Sequence, residues 1–204
     1  MAKFALFGNR ESGHTYKVSL MLAVAGIAHD YTEVDLTLAR DARPEPFRSL
    51  STYGEVPLLL HDGKPYVQSN AILLHLAEHC GAFGGESAQR MERAREWLFW
   101  EANRIGFSLP NLRYGMRFAP GGLAPDVEAL LRARYNADIA RLDDELADGR
   151  AFILGPLPCV ADLSLCGYMF WPEQAGVVLP ARVTAWLGRI SALPGWRHPY
   201  DMRA

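Results

Sequence analysis

The amino-acid sequence predicts an α/β N-terminal part followed by an all-helical C-terminal part. Three observations carry that prediction. Up to about Cys80, short strand-like and helix-like segments alternate in the order βαβ, one short helix, ββα. "VPLLLHDGKPYV" is an apolar run, an Asp62-Gly63 turn and a second short run, which specifies a β-hairpin. From about Gly81 the apolar residues recur at helical spacing throughout. A βαβ unit joined to ββα makes a small four-stranded sheet with helices packed on it.

Each element has its own signal. "KFALFG" is a strand that stops at Gly8, and "YKVSLMLAVAG" is a mostly buried helix with Gly26 placed to end it. "HDYTEVDL" has a weak period of two, setting Tyr31, Glu33 and Asp35 against Thr32 and Val34. After the hairpin, Ser69 is the expected N-cap of "NAILLHLAEHC", whose Ile72, Leu76 and His79 lie three and four apart. "GAFGGES" has glycines and no apolar period, so the expected division is a first domain over 1–80, a linker over 81–86 and a helical domain over 87–204. There, "AQRMERAREWLFWEANRIGF" reads as one long helix with Met91, Ala94, Leu98 and Ile105 on one side. "PDVEALLRARYNADIARLDDELADG" opens on Pro125-Asp126 and ends at Gly149. "VADLSLCGYMFW" is apolar nearly all round and reads as a central buried helix, and "ARVTAWLGRIS" closes the set.

Composition narrows the function. The 204 residues are 50% hydrophobic and 22% charged, with a net charge of -2, which gives no reason to expect nucleic acid. "MAKFALFGNR" is too quickly polar for a secretory signal, and "VSLMLAVAGIA" is well short of a bilayer span, so no membrane association is expected. Cys80, Cys159 and Cys166 form no CxxC and leave an odd one over, which suits a reduced, cytoplasmic setting. Metal-ligand spacing is absent, and no metal is expected.

Three stretches, in this order and spacing, carry a resemblance along the whole chain: "SGHTYKV" opening the first helix, "GEVPLL" entering the hairpin and "QSNAILLHLAE" at the third helix. "PCVADLSL" in the second half adds to it. Together they resemble the soluble, bacterial-like glutathione S-transferases with a serine-type active site. The resemblance implies a thioredoxin-like first domain that binds glutathione, a helical second domain that holds an apolar electrophile, and a homodimer.

Ser12 stands where the first helix begins. A helix N-terminus presents free N–H groups and a partial positive charge, which stabilise a nearby anion. Ser12-Gly13-His14-Thr15 offers two hydroxyls and no sulfur, and hydroxyls cannot exchange disulfides, so dithiol oxidoreductase activity is excluded at this site. A hydroxyl can instead donate to the thiolate of a ligand. A free thiol with a pKa of about 8.5 is only a few per cent ionised at neutral pH. One hydrogen bond to the charged form contributes roughly 1.5–3 kcal/mol, against ~0.3–1 kcal/mol from the helix dipole, so the hydroxyl is the main effect. The resemblance gives that role to Ser12, with Thr15 as a substitute; the plain alternative is that Ser12 only caps the helix. His14 reads as a surface side chain.

The remaining candidates follow from the same resemblance. It implies a cis peptide before Pro57, with the backbone of Val56 pairing with the cysteinyl part of glutathione like an added strand; the alternative is an ordinary strand-opening proline. Ser69 is implied to hold the γ-glutamyl carboxylate at a helix N-terminus. Relatives place an acid before this serine, whereas Gln68 supplies hydrogen bonds but no charge, and Glu55 adds an acid close by. Arg40, Arg43 or Arg48 could meet the glycyl carboxylate or be solvated surface residues. Trp100, Phe107 and Tyr114 recur every seven residues, so Trp100, Asn103, Arg104 and Phe107 are the candidate second-substrate pocket, or else core or subunit contact. Asp162 is expected to be structural, satisfying N–H groups where Cys159 is a poor cap. The expected activity is conjugation of glutathione to small apolar electrophiles, a detoxifying transferase reaction. The alternatives are a glutathione-dependent isomerase or peroxidase, or a non-catalytic binding module on the same fold.

Overall fold

A computed structural model describes residues 3–202. Strand alternation decides how its sheet is covered. β1 (Phe4–Gly8) turns Phe4 and Leu6 to one face and Ala5 and Phe7 to the other. β2 (Asp30–Glu33) pairs with it in parallel, and β3 (Leu58–His61) and β4 (Lys64–Val67) continue antiparallel, giving the order β2-β1-β3-β4. Leu6 is in register with both Tyr31 and Leu59. Helices α1 (Gly13–Val24) and α3 (Ser69–Cys80) cover the Leu6 face and share the main core with the helical part. The short α2 (Phe47–Leu50) closes the opposite face, where Phe47 packs with Phe7, Val34 and Leu58. This is a thioredoxin-like unit. It is followed by α4 (Ala88–Asn103), α5 (Ile105–Arg117), α6 (Pro125–Glu145), α7 (Val160–Leu165) and α8 (Ala181–Ser191). Among the described residues no helix is long and apolar enough to cross a membrane.

Three local expectations need correction. The long helix predicted through residue 107 breaks at Arg104, whose φ of -117° and ψ of -99° leave the helical region. The buried segment after Cys159 is α-helical only to Leu165 and tightens into a 3₁₀ turn over Cys166–Tyr168. Ser69 is the first helical residue of α3, and the cap position belongs to Gln68, whose φ of 69° turns the chain into the helix with no side-chain cap bond. The positive φ moves Ser69 one place inward.

Asp162 holds its end of the helical part together, in the structural role its position predicts. Its carboxylate accepts from the backbone N–H groups of Ile153 and Cys159, both at 2.9 Å, and from Trp186 Nε1 at 2.8 Å. The Cys159 thiol lies 3.2 Å away and donates as well.

The two parts meet along α1. Gly13 and Gly167 allow that approach: a Cβ on Gly167 would lie 2.7 Å from Lys17 Cε, and one on Gly13 would lie 2.5 Å from the Gly167 carbonyl oxygen. Beneath them Lys17 and Glu101, 1% and 3% exposed, form an ion pair at 2.7 Å. The second oxygen of Glu101 accepts from Asn70 Nδ2 at 3.1 Å and from Ser164 Oγ at 3.0 Å. One carboxylate thus joins α1, α3, α4 and α7. Burial opposes its charge, yet Lys17 and the hydrogen bonds hold it below the ordinary carboxylate range. Its contribution is therefore present above that range and is lost as pH falls through the lowered value.

Removing one member of such a pair leaves the other buried and uncompensated, which costs about 3–5 kcal/mol. Lys17→Met should lose stability on that scale in urea unfolding, and Lys17→Met/Glu101→Gln should recover most of it. A single variant as stable as the parent chain would show that the pair does not hold the seam.

Candidate functional site

The loop before α1 is clamped from the helical part. Arg113 on α5, 2% exposed, donates to the Glu11 carbonyl oxygen at 2.6 Å and to the Glu11 carboxylate at 2.5 Å. Its guanidinium carbon sits 4.1 Å from the centre of the Trp171 ring, and its Nε donates to Gln174 at 2.9 Å. Tyr200 donates to the same Glu11 oxygen at 2.9 Å. Partial burial works against the charge of Glu11, but Arg117, Tyr200 and Arg113 hold its carboxyl below the usual range. The next residue is Ser12. It caps α1, with Oγ accepting from the Thr15 N–H at 3.2 Å. The Thr15 hydroxyl is turned to the loop and accepts from the Asn9 N–H at 3.2 Å.

Two cavities flank this helix end. The first, about 460 Å³, is lined by Val56, Pro57, Gln68 and Ser69, with His14 and Glu101 at its base. The Val56–Pro57 peptide is cis, as the resemblance implies. The second, about 390 Å³, is lined by Ser12, Tyr168, Pro110, Tyr114 and Phe118, with Arg113 behind them. Between the two, the His14 and Tyr168 rings meet edge to face with centroids 5.2 Å apart. The four expected ligand-binding residues are therefore brought together, and Ser12 opens onto the adjacent cavity.

Other expectations fare differently. Trp100, Asn103, Arg104 and Phe107 line neither cavity. The break at Arg104 puts Trp100 and Phe107 on different helices, so a seven-residue repeat no longer means a shared face. Trp100 packs on Trp97, and Phe107 lies under the Arg134 guanidinium. Of that repeat only Tyr114 reaches the Ser12 cavity. Arg43 is held by the carbonyls of Leu38 and Gly54, and Arg48 by Glu45 and the Asp41 carbonyl. Arg40 is exposed, 3.9 Å from Glu55.

His14, Tyr168 and Arg113 are the site residues that sequence reasoning passes over. His14 is not a surface side chain: its Nδ1 is buried without a partner among the described residues, and it lines the first cavity. Burial, with the charge of Lys17 adding to it, lowers its pKa from 6.5 to about 4, so its ring is neutral at physiological pH. Tyr168 lies in an unbroken apolar run, which hides its hydroxyl among core residues. Arg113 has one sequence signal, a lone cation within the apolar register of α5.

Comparisons with known proteins bear on the family and the fold. A family model described as "Glutathione S-transferase, N-terminal domain" matches residues 2–78. The chain is 29% identical over 200 residues to the disulfide-bond oxidoreductase YfcG of Escherichia coli (strain K12), spanning 92% of this chain and 89% of that protein. It is 33% identical over 69 residues to a probable glutathione transferase of Aplysia californica, spanning 34% of this chain and 71% of that protein. A crystal structure of a glutathione S-transferase from Xanthobacter autotrophicus Py2 aligns with a TM-score of 0.84 at 29% identity, covering 95% of each chain. The chain belongs to the glutathione S-transferase family.

A buried neutral histidine has a consequence for stability. The unfolded chain binds a proton at His14 as pH falls below 6.5, and the folded chain does so only near 4. Stability should therefore fall across that interval. In His14→Gln the pH dependence of unfolding between those values should be visibly flatter than in the parent, and equal slopes would contradict the burial of a neutral ring.

Proposed function

We propose that the protein is a glutathione transferase that joins the glutathione sulfur to small apolar electrophiles. The observation that carries this reading is the convergence of Val56, Pro57, Gln68 and Ser69 on one cavity beside the capped end of α1. In this reading the cysteinyl backbone of glutathione pairs with Val56, and the γ-glutamyl carboxylate meets Ser69 and the first amides of α3. Gln68 gives the γ-glutamyl ammonium no charge to pair with, and Glu101 is already neutralised by Lys17. Glutathione affinity is accordingly modest.

The sulfur reaches past His14 to Ser12. One lone pair of Ser12 Oγ is taken by the Thr15 N–H, and its own O–H remains to donate. That bond favours the thiolate. The thiolate then attacks an electrophilic carbon held in the second cavity, whose walls are Leu36, Pro110, Tyr114 and Phe118. A C–S bond forms from the sulfur electron pair, and the leaving group departs with its own pair, or an activated double bond takes the electrons up. This places the electrophile on α5 rather than at the end of α4. The family also points to a homodimer. Phe99 and Tyr53, 78% and 51% exposed, stand at the first cavity, where a second subunit would cover them.

A second reading keeps the same thiolate and changes the acceptor. One relative matched over both parts of the chain is a disulfide-bond oxidoreductase, and none of Cys80, Cys159 and Cys166 lines either cavity. A disulfide substrate would be attacked by the glutathione sulfur itself, releasing one substrate thiolate and leaving a mixed disulfide for a second glutathione to resolve.

The protein should be retained on immobilised glutathione, and bound glutathione should show thiolate absorbance at a pH where free glutathione shows little. Ser12→Ala should raise the pKa of the bound thiol by about one unit or more while leaving affinity largely intact. Aryl halides, enones and a mixed-disulfide substrate then separate the two readings by turnover. No retention, or a bound thiol that titrates like the free tripeptide, would refute both.

A further inference from the structure

We propose that Tyr168, contributed by the helical part, is a second hydroxyl donor to the same glutathione sulfur, so that the thiol is activated across the seam between the two parts. This inference rests on the glutathione-binding reading above and adds a catalytic residue to it.

The placement of the phenol carries the argument. Tyr168 lines the cavity that Ser12 opens onto. Its ring lies directly over the first turn of α1, where a Cβ on Gly13 would come within 2.4 Å of Tyr168 Cδ2. Only glycine at position 13 permits this approach. The ring is held on its other sides by His14, at 5.2 Å between centroids, and by Trp171, at 6.1 Å. Tyr168 and Ser12 line the same cavity, and the ring sits over the helix start at Gly13 and His14.

A donor inventory then fixes what that hydroxyl can do. A phenol has one proton to donate and two lone pairs with which to accept. That proton finds a better acceptor in an arriving thiolate than in any neutral oxygen. Burial raises the pKa of the phenol, against the pull of Ser12, Arg113 and the amides of Gly13 and His14, which keeps it protonated and able to donate at neutral pH. The charged groups that share this cavity are Glu11, Asp35 and Arg113. Glu11 and Arg113 are bonded to each other, and Asp35 is engaged with Thr37. None of them is free to replace the phenol as donor.

Tyr168→Phe keeps the ring on Gly13 and removes only the hydroxyl. Thiolate absorbance of bound glutathione against pH, measured with glutathione affinity on the same samples, tests the proposal. Tyr168→Phe should raise the pKa of the bound thiol by about one unit, and Ser12→Ala/Tyr168→Phe should bring it close to that of free glutathione. Affinity should hold, and kcat should fall while KM for glutathione changes little. A parent protein that lowers the thiol pKa and a Tyr168→Phe variant that lowers it equally would overturn this inference alone. A parent protein that binds no glutathione would overturn the functional reading and this inference with it.

Discussion

The buried pair of Lys17 and Glu101 is the constraint on which the site depends. Two ions in an apolar seam are tolerable only when each completes the other and the spare lone pairs are used. Here Asn70 and Ser164 use them, so the pair also sets where α3 and α7 stand relative to α1. The result is a helix whose first turn cannot shift independently of the helical part. Arg113 applies the same constraint one residue before the cap, through Glu11.

That constraint explains how a site made from two structural units can be preformed. Val56, Pro57, Gln68 and Ser69 come from the sheet and the start of α3, while Tyr168, Pro110 and Tyr114 come from the helical part. They share a border only because Gly13 and Gly167 let backbone approach backbone there. His14 and Tyr168 form that border. One is a neutral imidazole with an unused nitrogen and the other a half-buried phenol, so both are hydrogen-bonding groups that carry no charge of their own. A site of this kind favours an anion by donation rather than by a full counter-charge, which suits a sulfur that must remain nucleophilic.

Much of this was legible in the sequence because it depends on local pattern. The hairpin followed from two apolar runs about an Asp62-Gly63 turn, and α1 from a continuous apolar segment after a capping serine. Asp162 was legible as a helix-start acid. What stayed hidden depends on three-dimensional packing. The break at Arg104 has no Gly or Pro at that position to announce it, and Gln68 takes a positive φ that its type rarely signals. Lys17 gives no sign of burial on its own, since its partner lies 84 residues away. Tyr168 reads as core because its run is apolar, whereas the fold leaves it half-buried at the cavity that Ser12 also lines.

The account stands or falls on where the glutathione sulfur lies, and a crystal structure with the tripeptide bound measures that directly. The sulfur should sit at hydrogen-bonding distance from both Ser12 Oγ and Tyr168 Oη, with the tripeptide backbone against Val56. A sulfur confined to the first cavity, out of reach of both hydroxyls, would contradict it.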